Sequence, residues 1–406
     1  MLGSKSMPKV AVIGGSIAGL TIANLLRDCG CEVDVYERSV RPLSGFGTGI
    51  VVQPELVRYL TERAGIPVEE ISVGSGKMRY ISASTAESLG EIPSAWRFTA
   101  YNAIYGCLLR KFGLDRYHMG RTLIDIADTG LHAVATFEDG QRVVADLIVC
   151  ADGGRSISRQ KLLGITPSYA GYVTWRGMVA QSEVHASTWG YFQDAFTYGL
   201  LDDSHTITYP VPEVTQDGYV RPGVRLNWQW YWNLLETDLG SLMTDAAGVV
   251  HPVSLHSELL PAATLARFRG RAAEELSRPF AELIHGATKP FVTLVADAAV
   301  PKMAFEHVAL IGDAAFTPRP HAAAGAAKAC SDAWSLADHL VATAGNVKAA
   351  LNAWEPQQIG IGQAYLAKAS RMGGVLQHGG DFPPGALENA FGLPRPASDL
   401  LAEDIP

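Results

Sequence analysis

The sequence predicts an α/β fold: a Rossmann-like dinucleotide-binding lobe, an interleaved lobe built on a mixed β-sheet, and C-terminal helices. Three observations predict it. An apolar run near the start ends in a glycine-rich turn, the middle of the chain alternates aromatic with polar residues, and the last third carries alanine-rich helical sequence. A chain of 406 residues is long enough to bury a large core.

Composition narrows the function classes. The 33 basic and 41 acidic residues give a net charge of −8 without a basic stripe, so nucleic acid is not an expected partner. No apolar run reaches membrane-spanning length, and Met1–Lys9 lacks the apolar centre of a signal peptide, so a soluble, cytoplasmic protein is expected. The five cysteines form no CxxC pair and no zinc spacing, and Cys29 and Cys31 are too close for an ordinary bridge. Free thiols in a reducing compartment, and no metal, follow from that pattern. The oligomeric state is left open, a homodimer being one option.

The elements can be taken in order. Lys9–Ile13 reads as a parallel strand covered on both faces. It runs into VIGGSIAGL, where Gly14 and Gly19 fill the first and third places of a dinucleotide fingerprint and Ser16 takes the second. Serine is small, and its hydroxyl can donate to a phosphate. The helix that follows has Ile22, Leu25 and Leu26 on one stripe, and Gly30 can close it. EVDVYERS is a second strand ending on Glu37, 18 residues beyond Gly19, where a carboxylate can accept hydrogen bonds from both hydroxyls of an adenosine ribose.

Ser72 to Phe98 and Gly171 to Trp232 alternate as strands of a largely antiparallel sheet. Tyr198, Tyr209 and Trp228 are read onto its inner strands, as ring-pocket walls or as plain core. Between these segments a hairpin turns at Asp139-Gly140, and Leu147 to Cys150 returns to the first lobe as a buried strand. The first lobe is therefore expected over 1–71, 99–167 and 290–406, and the second over 72–98 and 168–289. The stretch from Gly373 is rich in glycine and proline. GSG at Gly74–Gly76 and GFGTG at Gly45–Gly49 open no helix, so no second fingerprint is present.

Two further motifs complete the pattern. ADGGRSISR, Ala151 to Arg159, follows a buried strand and carries Asp152 at a turn or helix cap. In LIGDAAFTPRPHAAAGAAKA a strand ends at Gly312-Asp313, a proline loop follows, and Gly325 begins a helix whose amides can approach a ligand closely.

In this order the three motifs resemble the FAD-dependent aromatic hydroxylases, single-component flavoprotein monooxygenases with a glutathione-reductase type of FAD domain. The resemblance implies that Gly14, Ser16, Ile17, Ala18 and Gly19 hold the ADP part of FAD and that Glu37 binds its ribose. It places Leu123 by the adenine and Gly49, Ile50 and Val51 beside the flavin. Asp152 falls near the flavin and nicotinamide paths, Asp313 near the ribityl chain, and Gly325 and Ala326 offer amides to the flavin ring.

Three departures stand out: Ser16 for glycine, Phe316 where GDAAH has histidine, and Tyr101 where an arginine reaches the FAD phosphates, a task that Arg38 could take over. NADH or NADPH is expected to dock transiently as reductant. The resemblance implies that reduced flavin adds dioxygen at C4a and that an activated ring carbon attacks the resulting hydroperoxide. His321, one residue after Pro320, is the first candidate for binding or deprotonating the substrate. Pro320 itself faces substrate and flavin in the family. The stretches GFGTGIVVQPELV, AGYVTWRG, FTYGLLDD, LNWQWYWN and TPRPHAAAG resemble the pyridine-hydroxylating branch, implying 2,6-dihydroxypyridine as substrate. Salicylate, a hydroxynicotinate, or a non-hydroxylating flavin dehydrogenase or oxidase remain the alternatives.

Overall fold

The structure, a computed structural model, describes residues 7–43 and 48–394. Met1–Ser6, and Gly45–Gly47 of the GFGTG run, lie outside the described residues.

The first strand, Lys9–Ile13, is buried from Val10 onward. A strand without a solvent face needs neighbours on both sides, and it pairs in parallel with Glu32–Glu37 and with Leu147–Cys150. Val308–Leu310 and Tyr117–Met119 extend this to an all-parallel sheet of five strands. The helix Ile17–Asp28 buries Ile22, Leu25 and Leu26, and ends where Gly30 turns at φ +87°. It packs against the helix Gly325–Ala342, so the first and third motifs meet. Leu123–Asp128, Ala133–Phe137 and Arg142–Ala145 form a separate antiparallel sheet.

The second lobe is an eight-stranded sheet ordered Ser254–Leu255, Phe291–Asp297, Ser168–Ala180, Val220–Asn233, His205–Val214, Ala195–Leu200, Lys77–Ser82 and Ser88–Pro93. Only the pair Ala195–Leu200 with Lys77–Ser82 is parallel. The strand Phe291–Asp297 hydrogen-bonds to Ser168–Ala180, so this lobe extends past the expected boundary at 289.

The pleat divides the sheet chemically. Trp175, Trp228, Trp230 and Trp232 lie on one face with Phe268, Phe280 and Leu283 of the helices Ala262–Glu275 and Arg278–Gly286, the Trp175 ring stacking 3.9 Å from that of Phe268. The other face, carrying Tyr172, Arg176, His205, Tyr209, Gln229 and Tyr231, turns toward the first lobe. The glycine-rich stretch from Gly373 does not end the last helix, which runs Val347–His378. Gly373 has a steric reason: a Cβ there would stand 2.7 Å from both His321 Cδ2 and Tyr172 Oη.

Arg159, fully buried, ties the second motif to the third. Its Nη2 donates to Gly154 O at 2.5 Å, its Nη1 to Asp313 O at 3.1 Å and Ala314 O at 3.3 Å, and its Nε to Ile165 O at 3.3 Å. Arg159→Met would fill much of the volume and strand those carbonyls. The expected loss is about 3 kcal/mol or more, read as a lower urea midpoint at unchanged slope. An unchanged midpoint would show that water replaces the guanidinium.

Candidate active site

The glycines of the first motif are sterically required. A Cβ at Gly14, where φ is +99°, would collide with Ala151 O, and one at Gly19 with Gly14 O. The helix Ile17–Asp28 starts at Ser16 without a side-chain cap and without an acidic residue in its first turn, which leaves its leading amides available to an anion. Ile17 and Gly19 are buried, whereas Gly14, Ser16 and Ala18 are half-buried. The Glu37 carboxylate accepts the Gly15 N–H at 2.8 Å and the Ser39 N–H at 2.9 Å, one on each oxygen. That fixes it at the turn, with lone pairs left for ribose hydroxyls. Arg38 is exposed, and Leu123 is buried in the antiparallel sheet.

Two of the departures touch each other. Ser16 Oγ lies 2.8 Å from Tyr101 Oη, so the hydroxyls standing for a glycine and an arginine form one hydrogen-bonded pair at the turn. Tyr101 stacks on Tyr105, whose hydroxyl accepts the Leu43 N–H at 3.1 Å, while Tyr117 donates to Gly15 O at 3.0 Å. The third departure, Phe316, is buried against Gly362 of the last helix. Asp152 accepts from Ser156 Oγ at 2.6 Å and from the Ser158 N–H at 3.0 Å, so its carboxylate braces the start of the helix Ile157–Leu163, whose N-cap is Ser156. Its Cα lies beside Gly14, away from the lining of the ring cavity.

A cavity of ≈ 360 Å³ lies between the lobes. That suits a small aromatic ring beside a flat cofactor. The first lobe contributes Gly49, Ile50, Val51, Asp313, Pro320, His321, Gly325 and Ala326, and the sheet contributes Tyr198 and Tyr209. These residues, assembled from four separate stretches of sequence, line one wall-to-wall space. At Gly325 a Cβ would find only Asp313 Oδ1, at 3.9 Å, so a planar group can approach the uncapped start of this helix. Gly49 donates to Asn227 Oδ1 at 3.0 Å, and its carbonyl accepts from Tyr209 Oη at 2.8 Å, which pins the strand Gly49–Val51 to the sheet. The open fingerprint turn and the uncapped second helix fit the two ends of FAD.

Trp228 is a correction. The two-residue pleat turns its ring to the opposite face, over Gly177 and 6.1 Å from Phe268, so it is core and not cavity wall. Its neighbours Gln229 and Tyr231 line the cavity, and the alternation in LNWQWYWN held that signal. Arg176 and His205 were likewise missed: Arg176 pairs across the sheet with the cavity residue Gln229, and His205 shares its strand's parity with Tyr209. Phe391 comes from the C-terminal segment, packs 4.9 Å from Phe196, and had no sequence signal.

His321 is buried and its Nε2 lies 2.8 Å from Tyr172 Oη. Burial, with Arg319 and Arg176 nearby, holds its pKa down at about 3, and burial also lowers that of His205. Both rings are therefore neutral at neutral pH, and His321 acts as a hydrogen-bond partner without storing a proton. Asp313 reaches solvent along the groove, yet the protein around it displaces enough water to push its carboxyl up to about 6, against the pull of Lys328 and Arg159.

Two predictions follow from this geometry. Ser16→Ala and Tyr101→Phe should each weaken FAD binding by severalfold, about 1 kcal/mol, and the double variant by little more than the larger single loss. Fluorescence titration of apoprotein with FAD measures this; additive losses would mean that the hydroxyls act independently. For His321, the unfolded chain takes up a proton near pH 6.5 and the folded chain only near 3, so stability falls as pH drops through that window, by up to about 1.4 kcal/mol per unit. His321→Asn should therefore lose less of its urea midpoint between pH 7 and 5 than the parent, and equal losses would assign the acid sensitivity elsewhere.

Comparison with known proteins agrees with these features. Residues 169–297 match the family described as FAD binding domain-like, and residues 9–70 the pyridine nucleotide-disulphide oxidoreductases. The chain is 50% identical over 393 residues to 2,6-dihydroxypyridine 3-monooxygenase of Paenarthrobacter nicotinovorans, covering 97% of each. It superposes on the structure of 2,6-dihydroxypyridine-3-hydroxylase from Arthrobacter nicotinovorans with a TM-score of 0.92, covering 96% of this chain and 98% of that one at 50% identity. A salicylate hydroxylase substrate complex aligns at a TM-score of 0.71 and 20% identity, over 94% of this chain and 91% of that one, a likeness of fold alone. With half its residues shared along nearly its whole length, and a cavity set between an amide-presenting helix start and an aromatic wall, the chain belongs to the FAD-dependent aromatic hydroxylases.

Proposed function

We propose that the protein hydroxylates 2,6-dihydroxypyridine at C3, giving 2,3,6-trihydroxypyridine with consumption of dioxygen and a reduced nicotinamide. The observation that carries this reading is the ≈ 360 Å³ cavity in which the amide-presenting start of the helix Gly325–Ala342 meets Tyr198, Tyr209 and Tyr231. The 50% identity to 2,6-dihydroxypyridine 3-monooxygenase supports the choice of substrate.

Bound FAD, once reduced by nicotinamide, supplies the activated oxygen. The residues of this chain do the rest. The turn at Gly14–Gly19 and Glu37 hold the dinucleotide, and the amides of Gly325 and Ala326 fix the ring system at the cavity. Phe196, Tyr198 and Phe391, all buried, keep water away from the reacting ring. His321, oriented by Tyr172, can offer its remaining ring nitrogen to a substrate hydroxyl or ring nitrogen. Two ring hydroxyls flanking the nitrogen make C3 electron-rich, as an electrophilic oxygen requires.

Turnover of 2,6-dihydroxypyridine under ¹⁸O₂ should place one labelled atom in the product and oxidise one equivalent of reduced nicotinamide. Product without label would overturn oxygen insertion, and turnover of salicylate or 6-hydroxynicotinate with none of 2,6-dihydroxypyridine would overturn the substrate.

A further inference from the structure

We infer that Arg176 is the counter-ion that receives the aromatic substrate as a ring oxyanion, a role that rests on reading the cavity as the aromatic site. Two arginines line the cavity. Arg319 is neutralised by Asp297, Nε to Oδ2 2.9 Å. Arg176 has no carboxylate within ion-pair distance among the described residues, and its Nη1 donates to the Thr48 hydroxyl at 3.3 Å.

The groups around Arg176 do not balance its charge. Across the sheet it pairs with Gln229, a neutral amide whose Oε1 already accepts from Tyr231 Oη at 3.0 Å. Tyr209 and Tyr231 stay protonated because burial raises both, and His321 stays neutral. Asp313, the carboxylate on the cavity wall, answers to Lys328 and Arg159. A half-buried guanidinium facing neutral partners favours an anion beside it.

The walls state what kind of anion. Phe196, Tyr198, Tyr209 and Phe391 enclose a flat apolar space, so a planar ring with a delocalised negative oxygen fits both the charge and the shape. The ring hydroxyl loses its proton to bulk solvent before or during uptake, and no side-chain base is needed. The oxyanion then pushes electron density toward the carbon that is oxygenated, which gives Arg176 a share in reactivity as well as in binding.

The test uses oxidised holoenzyme without reductant, under argon. With 2,6-dihydroxypyridine, the ultraviolet spectrum of the bound ligand should be that of the anion even below the pH at which the free ligand ionises. Arg176→Gln should raise Kd at least tenfold and abolish that ionisation shift, and Arg176→Lys should recover most of both, with FAD content equal in all three. A neutral bound ligand in the parent, or an anionic one held with parental affinity by Arg176→Gln, overturns the inference. If the parent binds no dihydroxypyridine, the substrate reading fails separately. Equilibrium dialysis with 4-nitrophenolate and uncharged 4-nitroanisole then decides Arg176 alone: preference for the phenolate, lost in Arg176→Gln, supports it, and equal retention of both ligands overturns it.

Discussion

Two buried cations hold the loop on which the site is built. Lys328 is paired with Asp332 at 2.6 Å in the helix Gly325–Ala342, and Asp332 also accepts the Gly312 N–H at 2.8 Å. From the other side Arg159 takes the carbonyls of Asp313 and Ala314. Gly312 sits at φ +58° with Ala329 close beside it, so the chain turns there without room for a side chain. A buried ion pair adds little net stability once its desolvation is counted, but it strongly penalises any displaced arrangement. Its consequence here is positional: the turn at Gly312–Ala314, which presents Asp313 at the cavity and leads into the loop carrying Pro320 and His321, is held from both sides.

The same economy explains the departures from the family pattern. A glycine and an arginine would give the dinucleotide turn open backbone and a positive charge. Ser16 and Tyr101 instead give it a bonded hydroxyl pair, propped by stacking on Tyr105. Neutral donors neutralise no phosphate charge, which in the proposed FAD site leaves more of that task to the uncapped helix start after Ser16. Phe316 belongs to the same kind of exchange, since a ring seated over Gly362 replaces a polar side chain with packing.

How much was legible follows from the range of the forces involved. Lys9–Ile13, the helix after it, and Glu32–Glu37 ending on Glu37 could be read because turn geometry and burial act over a few residues. The parity of the strand Val220–Asn233 was also written locally, as tryptophans alternating with Asn227, Gln229 and Tyr231. Reading Trp228 as a pocket wall assigned the bulky face inward, whereas the helices Ala262–Glu275 and Arg278–Gly286 claimed it. Phe391 and the lobe boundary beyond 289 depend on contacts between distant segments, and no local pattern encodes them. Arg159 looked like one charge in a capped helix start, and only the fold shows that it spans to the loop at Asp313.

The electrostatics of the cavity follow from these placements. Histidines buried in or against an aromatic sheet face lose proton affinity, so the loop histidine that sequence suggests as a base becomes a neutral hydrogen-bond partner. Positive charge survives only on side chains that stay ionised under desolvation, which arginine does and histidine does not. The protein therefore meets an acidic hydroxylated ring with a fixed cation, neutral donors and dry aromatic walls. Such a surface selects the ring's ionised form, and ionisation is what makes the ring carbon a nucleophile; binding and activation then draw on the same charge.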